Sequence, residues 1–181
     1  MTTRLLTLIT SLVLSYYSFE LFAEEQPGEE SLLKAVFIYN FAKFTRWPDE
    51  AWNEKGPSLQ ICTIGYDPLA NALLRLHGKT LRDHPVNIEL KENTAQLNSC
   101  HVLYLANTLT HEAIQITQNL HAMPILTISE IPSFSKSGGM IELYHSDDRI
   151  RFKINLTIIR EAGLDLSSRL LKLATIVHTQ Q

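Results

Sequence analysis

With 181 residues, 45% of them hydrophobic and 19% charged, the chain carries a formal net charge of −3. A nucleic-acid-binding protein needs a strong basic excess, so that class is excluded. The sequence has no low-complexity segment and no internal repeat, and it reads as one domain with a sizeable core behind a short leader.

Arg4 gives the leader a basic start. Leu5 to Phe19 is almost free of charge, and Leu21-Phe22-Ala23 ends it with a small residue before the polar run Glu24-Glu25-Gln26-Pro27-Gly28. This order predicts a cleavable export signal over residues 1–23, cut after Ala23, and a working protein outside the cytoplasm. The alternative is an uncleaved anchor, but the apolar run is shorter than the ~20 residues that span a bilayer, and Glu20 interrupts it. A short acidic segment, 24–30, then leads into an α/β domain expected over 31–181.

Ser31 opens a predicted helix to about Arg46. Glu29 and Glu30 are placed for its dipole, and Leu33, Phe37, Phe41 and Phe44 form an apolar stripe that Val36 and Ile38 widen. Trp47-Pro48 ends that helix. A loop over Asn53–Ser58 precedes a strand at Leu59–Ile64, and Asp67 caps a helix over Pro68–Leu76. Further strands are predicted at Pro85–Leu90, Val102–Ala106 and Pro124–Ile128, with a helix at Thr110–His121 between the last two. Gly138-Gly139 leads into a hairpin of Met140–Tyr144 and Ile150–Asn155, turning at His145–Asp148. From Thr157 the chain reads as helix, split near Gly163, with Ser167–Val177 as its last part. Strands alternating with helices imply a parallel sheet covered on both faces. The expected architecture is a single three-layer α/β domain, Rossmann-like in the loose topological sense, with a mixed, mostly parallel sheet and a C-terminal antiparallel hairpin.

Cys62 falls within the strand Leu59–Ile64, and Cys100 stands just before another. An even cysteine count in an exported chain reads as a disulfide, with two buried free thiols as the alternative. Lacking CxxC, the chain does not read as a thiol-redox catalyst.

Catalytic constellations are not found. His111-Glu112 lacks a second histidine at zinc-protease spacing, and GxSxG, Walker and GxGxxG motifs are missing. No catalytic residue, metal set or cofactor is therefore assigned. Asp147-Asp148 reads as a hairpin turn, and Asn155-Leu156-Thr157 is a glycosylation sequon at an unfavourable strand–helix junction. Two features could bind something. The turn Gly65-Tyr66-Asp67-Pro68 lies at a strand's carboxyl end, where open α/β sheets place ligands, although a helix N-cap in a tight turn is the simpler reading of Asp67. Arg149 and Arg151 alternate with Ile150 and Phe152, so both share one face of the hairpin with Lys153; that row could meet a carboxylate, a phosphate or an acidic partner.

Several segments taken in order resemble the YfiR family of periplasmic proteins. They are Lys34-Ala-Val-Phe-Ile-Tyr-Asn-Phe-Ala-Lys-Phe-Thr-Arg-Trp-Pro48, Ile61-Cys-Thr-Ile-Gly65 with Asp67-Pro68, Gly78-Lys-Thr80, and Cys100-His101-Val102-Leu103. Further along come Pro124-Ile-Leu-Thr127, Phe134, Gly138-Gly-Met-Ile141, Arg149-Ile-Arg-Phe-Lys-Ile-Asn-Leu156, Ala162-Gly-Leu164 and Ser167-Ser-Arg-Leu-Leu-Lys-Leu-Ala174. The resemblance implies a soluble periplasmic regulator and not an enzyme. Its expected partner is the periplasmic sensor domain of an inner-membrane diguanylate cyclase, whose repression limits cyclic di-GMP and biofilm formation. Cys62 and Cys100 match the family's structural disulfide pair, whereas a second disulfide of some members has no counterpart here. Phe44 and Trp47, near the end of the first helix, are candidate contacts, although core packing is the more usual role of such residues. A small-molecule sensor feeding a membrane kinase or transporter is the second functional reading, and a homodimer stays open.

Overall fold

The computed structural model describes residues 28–178, apart from the side chains of 53–55. The expected leader lies outside these residues. Helix α1 (Glu29–Phe44) has Glu29 and Glu30 in its first turn and Lys43 in its last, each complementing the helix dipole. It buries Ala35, Ile38, Phe41 and Ala42. The inner face is thus rotated from the expected stripe, and Leu33 and Val36 stay 51% and 47% exposed. The helix stops two residues earlier than expected, because Thr45–Arg46 (β1) pairs antiparallel with Asp165–Leu166 (β9). A second helix, α2 (Asp49–Lys55), occupies part of the expected loop; Pro48 sets its entry, and Asp49 and Glu50 stand in its first turn.

The main sheet has eight strands in the order β10-β8-β7-β6-β5-β2-β4-β3. They are β2 (Leu59–Ile64), β3 (Thr80–Leu81), β4 (His84–Lys91), β5 (Val102–Leu105), β6 (Leu126–Ser129), β7 (Ile141–Ser146), β8 (Arg149–Asn155) and β10 (Thr175–Val177). Pairs β2–β4, β2–β5, β5–β6, β6–β7 and β8–β10 are parallel, and β3–β4 and β7–β8 antiparallel. The connecting helices are α3 (Pro68–Leu73), α4 (Ala113–Asn119), α5 (Leu156–Glu161) and α6 (Ser168–Leu171). This is the three-layer, mixed and mostly parallel α/β architecture that the sequence implies.

The C-terminal end differs from expectation. Ser167–Val177 is not one helix: α6 covers four residues, and Thr175-Ile176-Val177 joins β8 as an edge strand. Three successive β-branched residues disfavour helix and suit a pleated edge.

Alternation along the strands divides the core between the two sheet faces. Leu59, Ile61, Val102 and Tyr104 pack with α1, α3 and Phe152, whereas Cys62, Ile64, Leu103 and Leu105 pack with Leu97, Ile116, Leu120 and Phe134. On the second face Gly139 is in direct contact with a ring: a Cβ there would lie 2.2 Å from Phe134. Phe134 is buried and has little room to swing away. Gly139→Ala is therefore expected to cost about 2 kcal/mol by overpacking and to lower the thermal midpoint by several degrees. An unchanged midpoint would mean that glycine and ring do not touch.

Candidate functional site

Helix α1 is apolar around more than half of its circumference, so one face enters the core and another remains outside. The outer face forms one wall of a groove of about 500 Å³, through Leu33, Val36, Phe37, Asn40 and Phe44. Phe41 and Phe152 of β8 form the floor, and Arg169, Leu170 and Leu173 the opposite wall. The ring centroids of Phe41 and Phe152 are 4.8 Å apart, and Phe37 sits 6.1 Å and 6.2 Å from them, so tilted aromatic packing fixes the floor. Leu173 is 76% exposed beside the half-exposed Leu33 and Val36. Exposed apolar residues grouped along a concave surface make this groove the candidate site.

The groove runs on toward the β7–β8 hairpin. A second depression of about 610 Å³ shares Leu33 and Phe37 and reaches Glu29, Glu30, His145, Asp148, Arg149 and Ile150. Asp147 and Asp148 both adopt positive φ, 51° and 53°, which gives the hairpin a tight turn matching the strand twist. Across the pair, Arg149, Arg151 and Lys153 stand opposite Ser146, Tyr144 and Glu142. Lys153 donates to Glu142 at 2.6 Å and lies 4.7 Å above the Tyr144 ring. Arg151 makes a long contact of 3.9 Å with the exposed Asp147.

Beneath this end, Lys34 donates to Glu130 and, at 2.6 Å, to Glu30. Burial presses the Lys34 ammonium toward neutrality, but the two carboxylates outweigh it and hold its pKa above the usual lysine range. The hydrogen bond from Lys34 in turn lowers the Glu30 pKa. Lys34 is thus held between two carboxylates, which leaves one negative charge in excess there; the exposed cations of this region are Arg169 on the groove wall and Arg149 and Arg151 on the hairpin.

The sequence-derived candidates fall in different places. Phe44 lines the groove, and Arg149 borders its continuation, with Arg151 two residues further on. Trp47 is buried on the α1 side; its indole N–H donates to the His101 carbonyl at 3.2 Å, and its ring meets Trp52 and His101 edge-on. Asp67 is buried too. Its Oδ1 accepts from Ala70 N at 2.8 Å, and its Oδ2 accepts from the Tyr104 hydroxyl at 2.7 Å and Asn107 N at 3.0 Å. Burial raises the Tyr104 pKa far above its ordinary value, and the Asp67 carboxylate adds to the effect, so the phenol stays a donor. The crevice between the carboxyl ends of β2 and β5 is filled: a Cβ on Gly65 would stand 2.8 Å from Thr108 Oγ1, on the turn Asn107–Leu109.

Cys62 and Cys100 form a disulfide with Cα atoms 5.8 Å apart, both fully buried. The structure thus gathers Phe44 and Arg149 on one surface and holds Trp47, Asp67 and the disulfide inside. Sequence reasoning missed the outward role of Val36, and it missed Arg169 and Leu173. The excess apolar circumference of α1 was a usable signal for Val36; Leu173 was hidden within the expected C-terminal helix. Among the described residues, no helix is long and apolar enough to cross a membrane.

The YfiR/HmsC-like family model matches residues 31–175, and the chain belongs to this family.

Proposed function

We propose that this member of the YfiR/HmsC-like family is a periplasmic regulator that acts through the groove between α1, β8 and α6. It binds the periplasmic sensor domain of an inner-membrane diguanylate cyclase, or a related sensor, and favours the inactive state, limiting cyclic di-GMP signalling and biofilm formation. Family membership over residues 31–175 supports the class of function. The carrying observation is the exposed apolar surface of Leu33, Val36 and Leu173 over a rigid phenylalanine floor. Such a regulator shifts its target only by the difference between its affinities for the two states, and about 100-fold tighter binding to the inactive state corresponds to about 2.7 kcal/mol of bias.

Deleting the gene is expected to raise cyclic di-GMP and surface attachment. Wild-type protein should reverse both changes, whereas Val36→Glu or Leu173→Glu should not, despite equal periplasmic abundance, because a charge on the groove wall cannot be desolvated cheaply. Unchanged cyclic di-GMP on deletion, or full complementation by both variants, would remove the basis for this reading. A second reading, a small apolar ligand in the same groove, draws support from its volume of about 500 Å³ and its phenylalanine lining. A thermal shift with such a ligand that disappears in Val36→Glu would favour it.

A further inference from the structure

We propose that the partner enters this groove as an extended, acidic segment that adds as a strand to the free edge of β8. The inference rests on the docking reading above and specifies how docking occurs. β10 pairs with β8 only from Lys153 to Asn155. Among the described residues, Arg149–Phe152 has no neighbouring strand on that side. The direction of its backbone groups follows from the β7 ladder. Asn155 N–H donates to Met140 O at 2.9 Å, in the same register that pairs Lys153 with Glu142 and Arg151 with Tyr144. Antiparallel pairing alternates, so Arg149, Arg151 and Lys153 turn their N–H and C=O groups toward β7. Ile150 and the Phe152 N–H therefore point outward, beside the groove.

An added strand sends alternate side chains to opposite faces. Here one set meets the apolar wall of Leu33, Val36 and Phe37, and the other meets Arg149 and Arg151. This is the geometry by which sheet edges capture peptides, with backbone bonds supplying affinity and alternate side chains supplying selectivity. The arginines also select the occupant. Two copies of this chain pairing edge to edge would oppose like charges, which is unfavourable. Carboxylates on the side of an incoming strand that faces Arg149 and Arg151 would instead find two guanidinium groups, of which Arg151 has a 3.9 Å contact with exposed Asp147, whereas the side that faces Glu29 and Glu30 of α1 must be uncharged.

The test uses an end-blocked octapeptide of alternating valine and glutamate, added to the mature protein and followed by amide NMR. Binding is expected to shift the Ile150 amide and slow its hydrogen exchange. A version with alternate backbone amides methylated, or with lysine in place of glutamate, should bind about tenfold more weakly or worse. Ile150→Pro removes an outward N–H while leaving the β7 ladder intact, so it should fold and lose the peptide. Equal binding of the methylated peptide without protection at Ile150 would overturn strand addition and leave groove docking standing. No binding of the acidic peptide would overturn it as well, while the Val36→Glu complementation result separately judges the docking surface. A concentration-dependent dimer that Ile150→Pro abolishes would identify a second copy as the occupant and overturn the acidic-partner proposal.

Discussion

Replacing Cys62 and Cys100 together by alanine is expected to lower stability by about 4 kcal/mol, the value the chain-entropy relation gives for the 38-residue separation the disulfide spans. That closed segment contains α3, β3 and β4 and returns the chain to β5 directly beside β2. The bridge therefore limits the unfolded chain at the crossover that builds the centre of the parallel sheet. A domain of this size commonly has only 5–15 kcal/mol in all, so the variant should be marginal at growth temperature. Urea unfolding is the direct measurement. The midpoint should fall, and the slope should rise, because the unlinked chain exposes more surface when unfolded. A midpoint equal to that of the oxidised wild type would show the bridge to be energetically idle.

The position of the bridge also decides how reduction would act. Both sulfur-bearing residues are fully buried on the face carrying Leu97, Ile116 and Phe134, whereas the groove between α1, β8 and α6 is built on the α1 face. A thiol reagent reaches the bond only when the domain opens, so the reduction rate in native buffer should level off as reagent concentration rises. Loss of the bridge then lowers the amount of folded protein without reshaping the groove. A redox input would consequently be read as abundance and not as altered affinity.

The alternation of β-branched strands with helices and turn residues made the sheet, its parallel character and the hairpin legible in sequence, because period and turn chemistry are local properties. Other features depended on tertiary contacts. Thr45–Arg46 leaves α1 because β9 pairs with it, and neither segment signals that meeting on its own. Thr175–Val177 carried the β-branched signal, but the preceding Leu170, Leu171, Leu173 and Ala174 suggested a continuing helix. Leu173 shows the consequence for the site: read as helical it appears to belong in the core, yet it stands 76% exposed at the groove wall. For Trp47 and Asp67 the structural roles weighed in the sequence, core packing and a helix cap, are the ones observed. Their long-range partners have no local signal: the Trp47 indole donates to the His101 carbonyl, and Asp67 also accepts from Tyr104 and Asn107.

The hairpin that supplies both the groove floor and the free edge depends on a buried charge pair, and breaking it should have the second large effect on stability. Glu142 is 3% exposed; its Oε1 accepts from Lys153 at 2.6 Å, while its Oε2 accepts from the Ser135 hydroxyl at 2.8 Å and the Ser135 N–H at 3.2 Å. Burial opposes ionisation, but these hydrogen bonds outweigh it and keep the Glu142 pKa below the ordinary carboxylate range. Lys153→Met keeps most of the aliphatic stem and removes the charge. It is expected to cost about 3 kcal/mol, near the lower end for a broken buried pair because Lys153 itself is 27% exposed. A lowered folded-state pKa gives stability that is present above the unfolded value of about 4.3 and is lost as pH falls through the folded value. Wild type should therefore lose part of its stability on acidification below that point. In Lys153→Met the acid loss should shrink, since burial is then opposed only by the two Ser135 bonds. Thermal midpoints recorded for both proteins between pH 3 and pH 7 separate charge pairing from simple packing: packing loss lowers the whole curve, whereas loss of the pair also changes its slope. Parallel curves would assign Lys153 to packing alone, and equal midpoints throughout would remove the pair from the stability of the hairpin.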